Sequence, residues 1–207
     1  MLKLIQHLVV NENMSLPETS DCLYAYIMAG NGVFLNARRG GLEVLIPVSN
    51  SRIAALPTLI PFVRLSSCVP KNLLFTALEL SRRNFPNEML FWFNLNDRWS
   101  IDVPDQLTRP ASVMPVDKMD ARGTSALIDL HSHGALSPFF SPIDNRDEQG
   151  FRIYAVIGEV DKVPKLCVRA GVYGHYFDIP AATVFEMPND IVDVYEDEGG
   201  GDESTVE

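Results

Sequence analysis

The sequence predicts an α+β fold in which a mixed β-sheet is flanked by helices. Short apolar runs alternate with turn residues along most of the chain, which is typical of strands. Residues 71–85 show the apolar period of one amphipathic helix. The 207 residues are enough to bury a sizeable core. We expect a β-rich extension over 1–69, a main domain over 70–188 and an acidic, disordered tail over 189–207.

The extension consists of apolar runs joined by turns that contain Gly and Asn. These runs lie at residues 22–28, 33–36 and 42–48. They predict three short strands in an antiparallel meander. Because Pro57 and Pro61 suit neither a helix nor a central strand, we expect residues 49–64 to be a connector with at most one helical turn or an edge strand.

The main domain is predicted to alternate between strands and helices. Its expected elements are a helix over 71–85, a hairpin of strands 88–95 and 99–103, a strand over 124–133, a helix over 142–149, and strands over 151–160 and 165–172. Residues 104–123 are polar and contain prolines, which predicts a long loop that could grip a substrate. From residue 195 onward the chain holds six acids and three consecutive glycines, which predicts disorder.

Composition excludes several classes of function. A net charge of -10 and a pI near 4.8 argue against broad contact with nucleic-acid phosphates, which requires clustered basic residues. The three cysteines are widely spaced, which predicts neither a disulfide framework nor a thiolate zinc site and suits a reducing cytoplasm. No run is long enough for a transmembrane helix, and residues 1–10 do not resemble a signal peptide. We therefore expect a cytoplasmic protein that binds neither membrane nor nucleic acid.

The most informative stretch contains two imidazoles, a hydroxyl and a carboxylate within fourteen residues. His131 and His133 are followed, after seven residues, by Ser141 and Asp144. Two His and one Asp are ligands that zinc accepts, and a catalytic zinc site keeps a fourth position for water. His131 and His133 end a predicted strand, so they share one face. Ser141 and Asp144 also form a helix start with Pro142 at the first helical position, which is compatible with a metal site because the cap would orient Asp144.

With Glu88 upstream, these residues resemble the JAMM metalloproteases of the JAB/MPN group, in its bacterial branch. That family is marked by His-x-His, seven residues and then Ser-x-x-Asp. It also carries a glutamate that opens the strand after its first helix, and Phe85-Pro86-Asn87-Glu88 matches that segment. The resemblance covers residues 71–173, about half of the chain. It departs from the family at Gly134, where many members have Pro.

The resemblance implies a JAB/MPN-like main domain that hydrolyses amide or isopeptide bonds with one Zn2+. The implied zinc ligands are His131, His133 and Asp144. Glu88 would be the general base, taking the proton of a zinc-bound water and returning it to the leaving amine. Ser141 would donate a hydrogen bond to the oxyanion of the intermediate.

A narrower resemblance, within the JAMM family, predicts the binding partners of this chain. The His-Ser-His-Gly sequence, Phe139-Phe140-Ser141 and the chain length resemble the JAMM proteins of the bacterial PRTRC cassette. These proteins are encoded near an activating-enzyme-like protein and a ubiquitin-like protein. The resemblance implies that this chain processes or deconjugates a ubiquitin-like protein, with the activating-enzyme-like protein as a further partner.

Several alternatives stay open at this point. The chain could be a metal-free MPN-type scaffold that only binds proteins, or a DNA-repair-associated relative of the same fold. Glu79, on the predicted helix, is a second candidate for the base beside Glu88. Asp129 could accept a hydrogen bond from an imidazole. His7 and His175 could be further ligands only by coincidence of the fold, and we interpret His175 as a surface or packed histidine.

Overall fold

A computed structural model describes residues 4–11 and 22–195 and confirms the α+β prediction. The N-terminal sheet runs in the order β1 (Ile5–Val9), β2 (Tyr24–Ala29), β3 (Gly32–Arg39), β4 (Leu42–Asn50) and β5 (Phe62–Leu65). Strands β2 to β5 are antiparallel, as the meander prediction requires, whereas β1 joins β2 in parallel. The predicted connector ends in β5 at the edge of this sheet. No strand was predicted at β1, which completes this five-stranded sheet.

The main domain continues with a helix and two hairpins. These elements are α1 (Lys71–Arg83), β6 (Leu90–Leu95), β7 (Trp99–Asp102), β8 (Gln106–Arg109), β9 (Ser112–Pro115) and α2 (Ala121–Ser125). Helix α1 begins at the predicted residue and buries Leu74, Ala77 and Leu78 on one face. Three- and four-residue spacing places these side chains on the same side of the helix, so α1 packs against the sheet.

The remaining elements complete the large sheet. They are β10 (Ile128–Ser132), α3 (Pro142–Asp147), β11 (Phe151–Gly158), β12 (Lys165–Val172), β13 (His175–Asp178), a short 3-10 helix (Ala181–Thr183) and β14 (Val192–Asp193). The order is β13-β12-β11-β10-β6-β7, with β14 on β12. Central strands β10 and β11 are parallel, and the chain between them carries α3. This crossover brings α3 over the end of β10.

The predicted loop over residues 104–123 is wrong. Half of it, residues 106–115, is the β8–β9 hairpin, and its last residues are the start of α2. The hairpin is joined to the main sheet by Gln106, whose amide accepts a hydrogen bond from the backbone N–H of Leu90 at 2.7 Å and donates to its carbonyl at 3.2 Å. The attachment of the hairpin to the main sheet depends on the side chain of Gln106, which bonds to a strand sixteen residues earlier. The composition of residues 104–123 alone could not indicate that attachment.

The predicted strand over 124–133 is also too long at its start. Helix α2 occupies Ala121–Ser125, and the side chain of its N-cap residue Asp120 accepts a hydrogen bond from the N–H of Arg122. Such a cap satisfies a backbone donor that a helix start otherwise leaves unpaired. The strand therefore begins only at Ile128.

The predicted tail begins too early at residue 189. Val192–Asp193 pairs in parallel with β12, and Asp193 accepts hydrogen bonds from the N–H groups of Ala181 and Tyr195. These bonds keep the chain on the main domain through Tyr195. The rest of the predicted disordered tail, residues 196–207, lies outside the described residues.

The extension and the main domain share one hydrophobic core. Leu35, Val44 and Ile46 of the N-terminal sheet belong to the same buried cluster as Ile153 and Phe93 of the large sheet. Arg39 also crosses between them. Its guanidinium donates to the carbonyls of Phe151 at 2.8 Å and Ser125 at 2.9 Å. Residues 22–69 are thus packed as part of the main domain.

Across residues 4–11 and 22–195, none of the helices has the length and hydropathy of a transmembrane span. The cytoplasmic location expected from the cysteines stays a prediction.

Candidate metal centre

The end of β10 presents two buried histidines. His131 lies in the strand, and His133 follows just beyond it, where its backbone N–H donates to the carbonyl of Ile157 at 2.9 Å. Alternate residues of an extended chain point to the same side, so both imidazoles face the same cavity. His131 is 8% exposed and His133 6%. The parallel neighbour β11 fixes this strand end on one side and β6 on the other.

Asp144 reaches the histidine pair from the first turn of α3. The side chain of Ser141 accepts the Asp144 N–H at 3.2 Å, and the Asp144 carboxylate accepts the Ser141 N–H at 2.6 Å. This capping box holds Asp144 at the helix start, with Pro142 at the first helical position. The helix start that the sequence predicted is therefore also the structure that positions the carboxylate.

The three side chains could hold a metal ion, and their types are ones that zinc accepts. The two Nε2 atoms lie 3.1 Å apart, and Asp144 Oδ1 lies 3.7 Å from His131 Nε2. Ligands at 2.0–2.2 Å in a tetrahedral site are about 3.3 Å from one another. The ligand atoms of all three residues lie within 4.8 Å of one another. Among the described residues, no other group of three or more His, Cys, Asp and Glu side chains could hold a metal ion.

Burial keeps the imidazoles in the neutral form that metals bind. Desolvation lowers the pKa of His131 to about 4, although the Asp144 carboxylate opposes this shift. Desolvation also lowers the pKa of His133. Both rings therefore hold a free nitrogen lone pair at neutral pH, and protons compete little with a metal there.

Glu88 lies in the same cavity, just before β6. Its backbone N–H donates to the carbonyl of Arg109 at 2.9 Å, so the β8–β9 hairpin helps to place it. On the other side, Ser132 accepts the N–H of Met89 at 2.9 Å and ties this segment to β10. The Glu88 side chain is almost buried, at 5% exposed. Burial, with a smaller contribution from the Asp144 carboxylate, raises the pKa of Glu88 to about 7.

The alternative acids and His175 have other partners. Glu79 is exposed on α1 and pairs with Arg82 at 3.1 Å. Asp129 lines the cavity, but both of its oxygens accept from Arg152 at 2.9 Å, so it does not orient an imidazole. His175 is 2.8 Å from the hydroxyl of Tyr26, at the contact between the two sheets. The structure therefore brings Glu88, and not Glu79, to the histidines.

All five predicted site residues line one cavity of about 480 Å³. Strand β9 of the hairpin forms one wall, and α3 with the preceding loop forms another. Four exposed apolar side chains also line this cavity: Met114, Leu136, Phe139 and Ile143. Exposed apolar groups that cluster around a cavity mark a surface for binding rather than ordinary solvent-facing chain.

Several supporting residues escaped the sequence reasoning. Ser132 and Gln106 place the Glu88 segment, and Arg169 contacts α3. A buried Ser between two metal-site histidines was the available signal for Ser132, whereas Gln106 and Arg169 carry none because their partners are distant in sequence. Gly134 has a φ of +54°, and a Cβ there would lie 2.9 Å from the carbonyl oxygen of Pro86. Proline cannot adopt that φ, so the conformation at Gly134 is incompatible with the Pro that many family members have there.

Comparison with protein families gives a match over the main domain. Residues 70–170 match a model of prokaryotic homologs of the JAB domain. This segment begins just before α1 and ends within β12, so it contains every residue of the candidate centre named above. A search of the curated proteins finds no match.

Proposed function

This chain belongs to the JAB/MPN family through residues 70–170, and from that premise we propose that it is a zinc-dependent hydrolase of amide or isopeptide bonds. The observation that carries the proposal is the meeting of Glu88 with the three-ligand cluster in one cavity. A carboxyl group without a role in chemistry gains little from burial beside Asp144, because burial disfavours its charged form. An acid with a pKa near 7 suits proton transfer at neutral pH.

Each residue of the centre has a separate role in the proposed hydrolysis. Zinc held by His131, His133 and Asp144 would lower the pKa of a bound water to about 7 and polarise the substrate carbonyl. The Glu88 carboxylate would take a proton from the water and give it to the nitrogen of the leaving amine. The Ser141 hydroxyl accepts the Asp144 N–H, which leaves its hydrogen free to donate to the carbonyl oxygen of the substrate.

We further propose that the substrate is a ubiquitin-like protein or its conjugate. Support comes from the resemblance described above and from the exposed apolar rim of the cavity, which suits a protein surface better than a small solute. The C-terminal tail of such a partner would lie extended beside the metal, where it could pair with an edge strand. An activating-enzyme-like protein is proposed as a second partner, on the resemblance alone.

The main alternative is a scaffold that binds proteins without catalysis. The buried Glu88 disfavours it, since a scaffold has no need for a carboxyl of raised pKa beside an open ligand cluster. The DNA-repair-associated alternative is disfavoured by the net charge of -10, which repels phosphates.

One set of variants tests the proposal. Zinc per chain is measured by elemental analysis, and cleavage is followed on a fusion of a ubiquitin-like protein. We expect wild type to bind one zinc and cleave, Glu88→Gln to bind zinc without cleaving, and His133→Ala to do neither. His175→Ala, a histidine outside the cavity, should retain both properties. If purified wild type does not bind zinc, the proposal that the protein is a zinc-dependent hydrolase is wrong. If Glu88→Gln cleaves as fast as wild type, a residue other than Glu88 is the general base.

A further inference from the structure

Helix α3 carries the third candidate ligand but has no apolar anchor. It spans six residues, Pro142–Asp147, and none of them is buried. A helix this short is not stable alone, because its few hydrogen bonds do not offset the entropy of nucleation. Its capping box fixes Asp144 relative to the helix start, but it does not fix the helix relative to the histidines on β10. Contacts from other elements must therefore hold α3 in place relative to β10.

Those contacts come from Arg169 on β12. This side chain is only 4% exposed. Its Nη1 donates to the side-chain oxygen of Asn145 at 2.6 Å, and its Nε donates to the Glu148 carboxylate at 3.2 Å, with Nη2 donating to the same carboxylate. The guanidinium lies between the rings of Phe140 and Tyr176, 3.8 Å and 3.9 Å from their centres. Arg169 is thus fixed on both faces and along its edge.

Tyr176 on β13 adds a second attachment. Its hydroxyl lies 2.8 Å from the backbone carbonyls of both Asn145 and Glu148, where α3 ends. The last carbonyls of a helix have no partner within the helix, so a donor at this position stabilises its end. Asp144 and Glu148 both line the same cavity. The clamp formed by Arg169 and Tyr176 holds Glu148 one turn from the candidate ligand.

We propose that Arg169 and Tyr176 are positioning residues that hold α3 over the end of β10 and thereby set the metal affinity of the centre. This inference rests on the proposed metal site. Arginine is required because its planar fork donates along one edge to Asn145 and Glu148 while its faces stack on rings. A lysine would keep the charge but lose the fork and the stacking. Removing groups that orient a ligand typically weakens metal binding by about 10- to 100-fold.

The test compares clamp variants with a matched control. Zn2+ affinity is measured by competition with a chromophoric chelator for wild type, Arg169→Lys, Tyr176→Phe and Arg152→Lys. Arg152 also forms a partly buried ion pair beside the same cavity, with Asp129, but within the described part of the chain it makes no hydrogen bond to α3. We expect Arg169→Lys to bind zinc about 10- to 100-fold more weakly and Tyr176→Phe to weaken it in the same direction, whereas Arg152→Lys stays near wild type.

Two further readouts separate positioning from general destabilisation. Urea unfolding without metal measures the stability of each variant, and the absorption of bound Co2+ reports whether Asp144 still coordinates. Changed Co2+ bands in Tyr176→Phe, which loses one hydroxyl and should fold, support the clamp even if Arg169→Lys does not fold. Wild-type affinity and bands in Tyr176→Phe and any folded Arg169→Lys, or equal losses in Arg152→Lys, would overturn it. Absence of zinc binding in wild type would instead refute the proposed function.

Discussion

Replacing Glu88 by Gln should stabilise the metal-free protein at alkaline pH. Gln has the shape of a protonated Glu but cannot ionise. In the folded protein, burial and the Asp144 charge raise the pKa of Glu88 from 4.5 to about 7. Such a shift corresponds to about 3 kcal/mol between the two protonation states. The stability that protonated Glu88 contributes is fully present below about pH 4.5, and it is lost as the pH rises through about 7.

The difference between wild type and Glu88→Gln isolates this group from the histidines, which titrate in both proteins. Urea unfolding with a chelator present should give a small difference at pH 5. At pH 8 the variant should be more stable by about 3 kcal/mol. Glu79→Gln, at an exposed position on α1, is the matched control and should show no such growth with pH.

Adding zinc should reduce the difference, because a nearby cation favours the charged carboxylate. If Glu88→Gln and wild type were equally stable at pH 8, Glu88 would ionise there without cost. The account of Glu88 as a buried, poised acid would then be wrong.

Three further predictions concern the metal centre and the extension. Because burial lowers the pKa of both His131 and His133, the zinc affinity of Glu88→Gln, which lacks the carboxyl group that titrates near pH 7, should stay nearly flat from pH 8 to 6.5 and fall only below that range; a decline centred near the ordinary histidine pKa of 6.5, measured by chelator competition, would contradict it. Ser141→Ala should lower the free energy of unfolding by about 1 kcal/mol through loss of the cap and reduce cleavage by about a hundredfold or more. Ser137→Ala, on the same loop, should do neither. A chain that begins at residue 70 should show no cooperative thermal unfolding by circular dichroism, because it lacks Leu35, Val44 and Ile46 of the shared core; a sharp transition would show that the main domain folds alone.

The local elements could be predicted where one short stretch carries its own signal. Helix α1 has an apolar period and Pro70 before it, so its first residue followed from the sequence. The start of α3 followed from Ser141, Pro142 and Asp144, because a capping box is formed within four residues. The β8–β9 hairpin did not follow, since its attachment to the sheet depends on Gln106 and a strand sixteen residues away.

The residues of the candidate centre likewise differ in whether the sequence alone could predict them. The type and spacing of His131, His133 and Asp144 predicted a metal site from the chain alone, because strand period and helix capping are local rules. The choice between Glu79 and Glu88 required the tertiary structure, since it depends on which acid the packing of α1 and β6 turns toward β10.

The sequence by itself determined which side chains could form the metal centre, the α+β class and the family resemblance. The match to the family model over residues 70–170 confirms that resemblance. Only the tertiary structure decided that the N-terminal sheet shares the core, and that Arg169 and Tyr176 hold the helix carrying Asp144. The physical reason is that these contacts join residues distant in the chain. Their side chains carry no mark of their partners until the β-strands are paired.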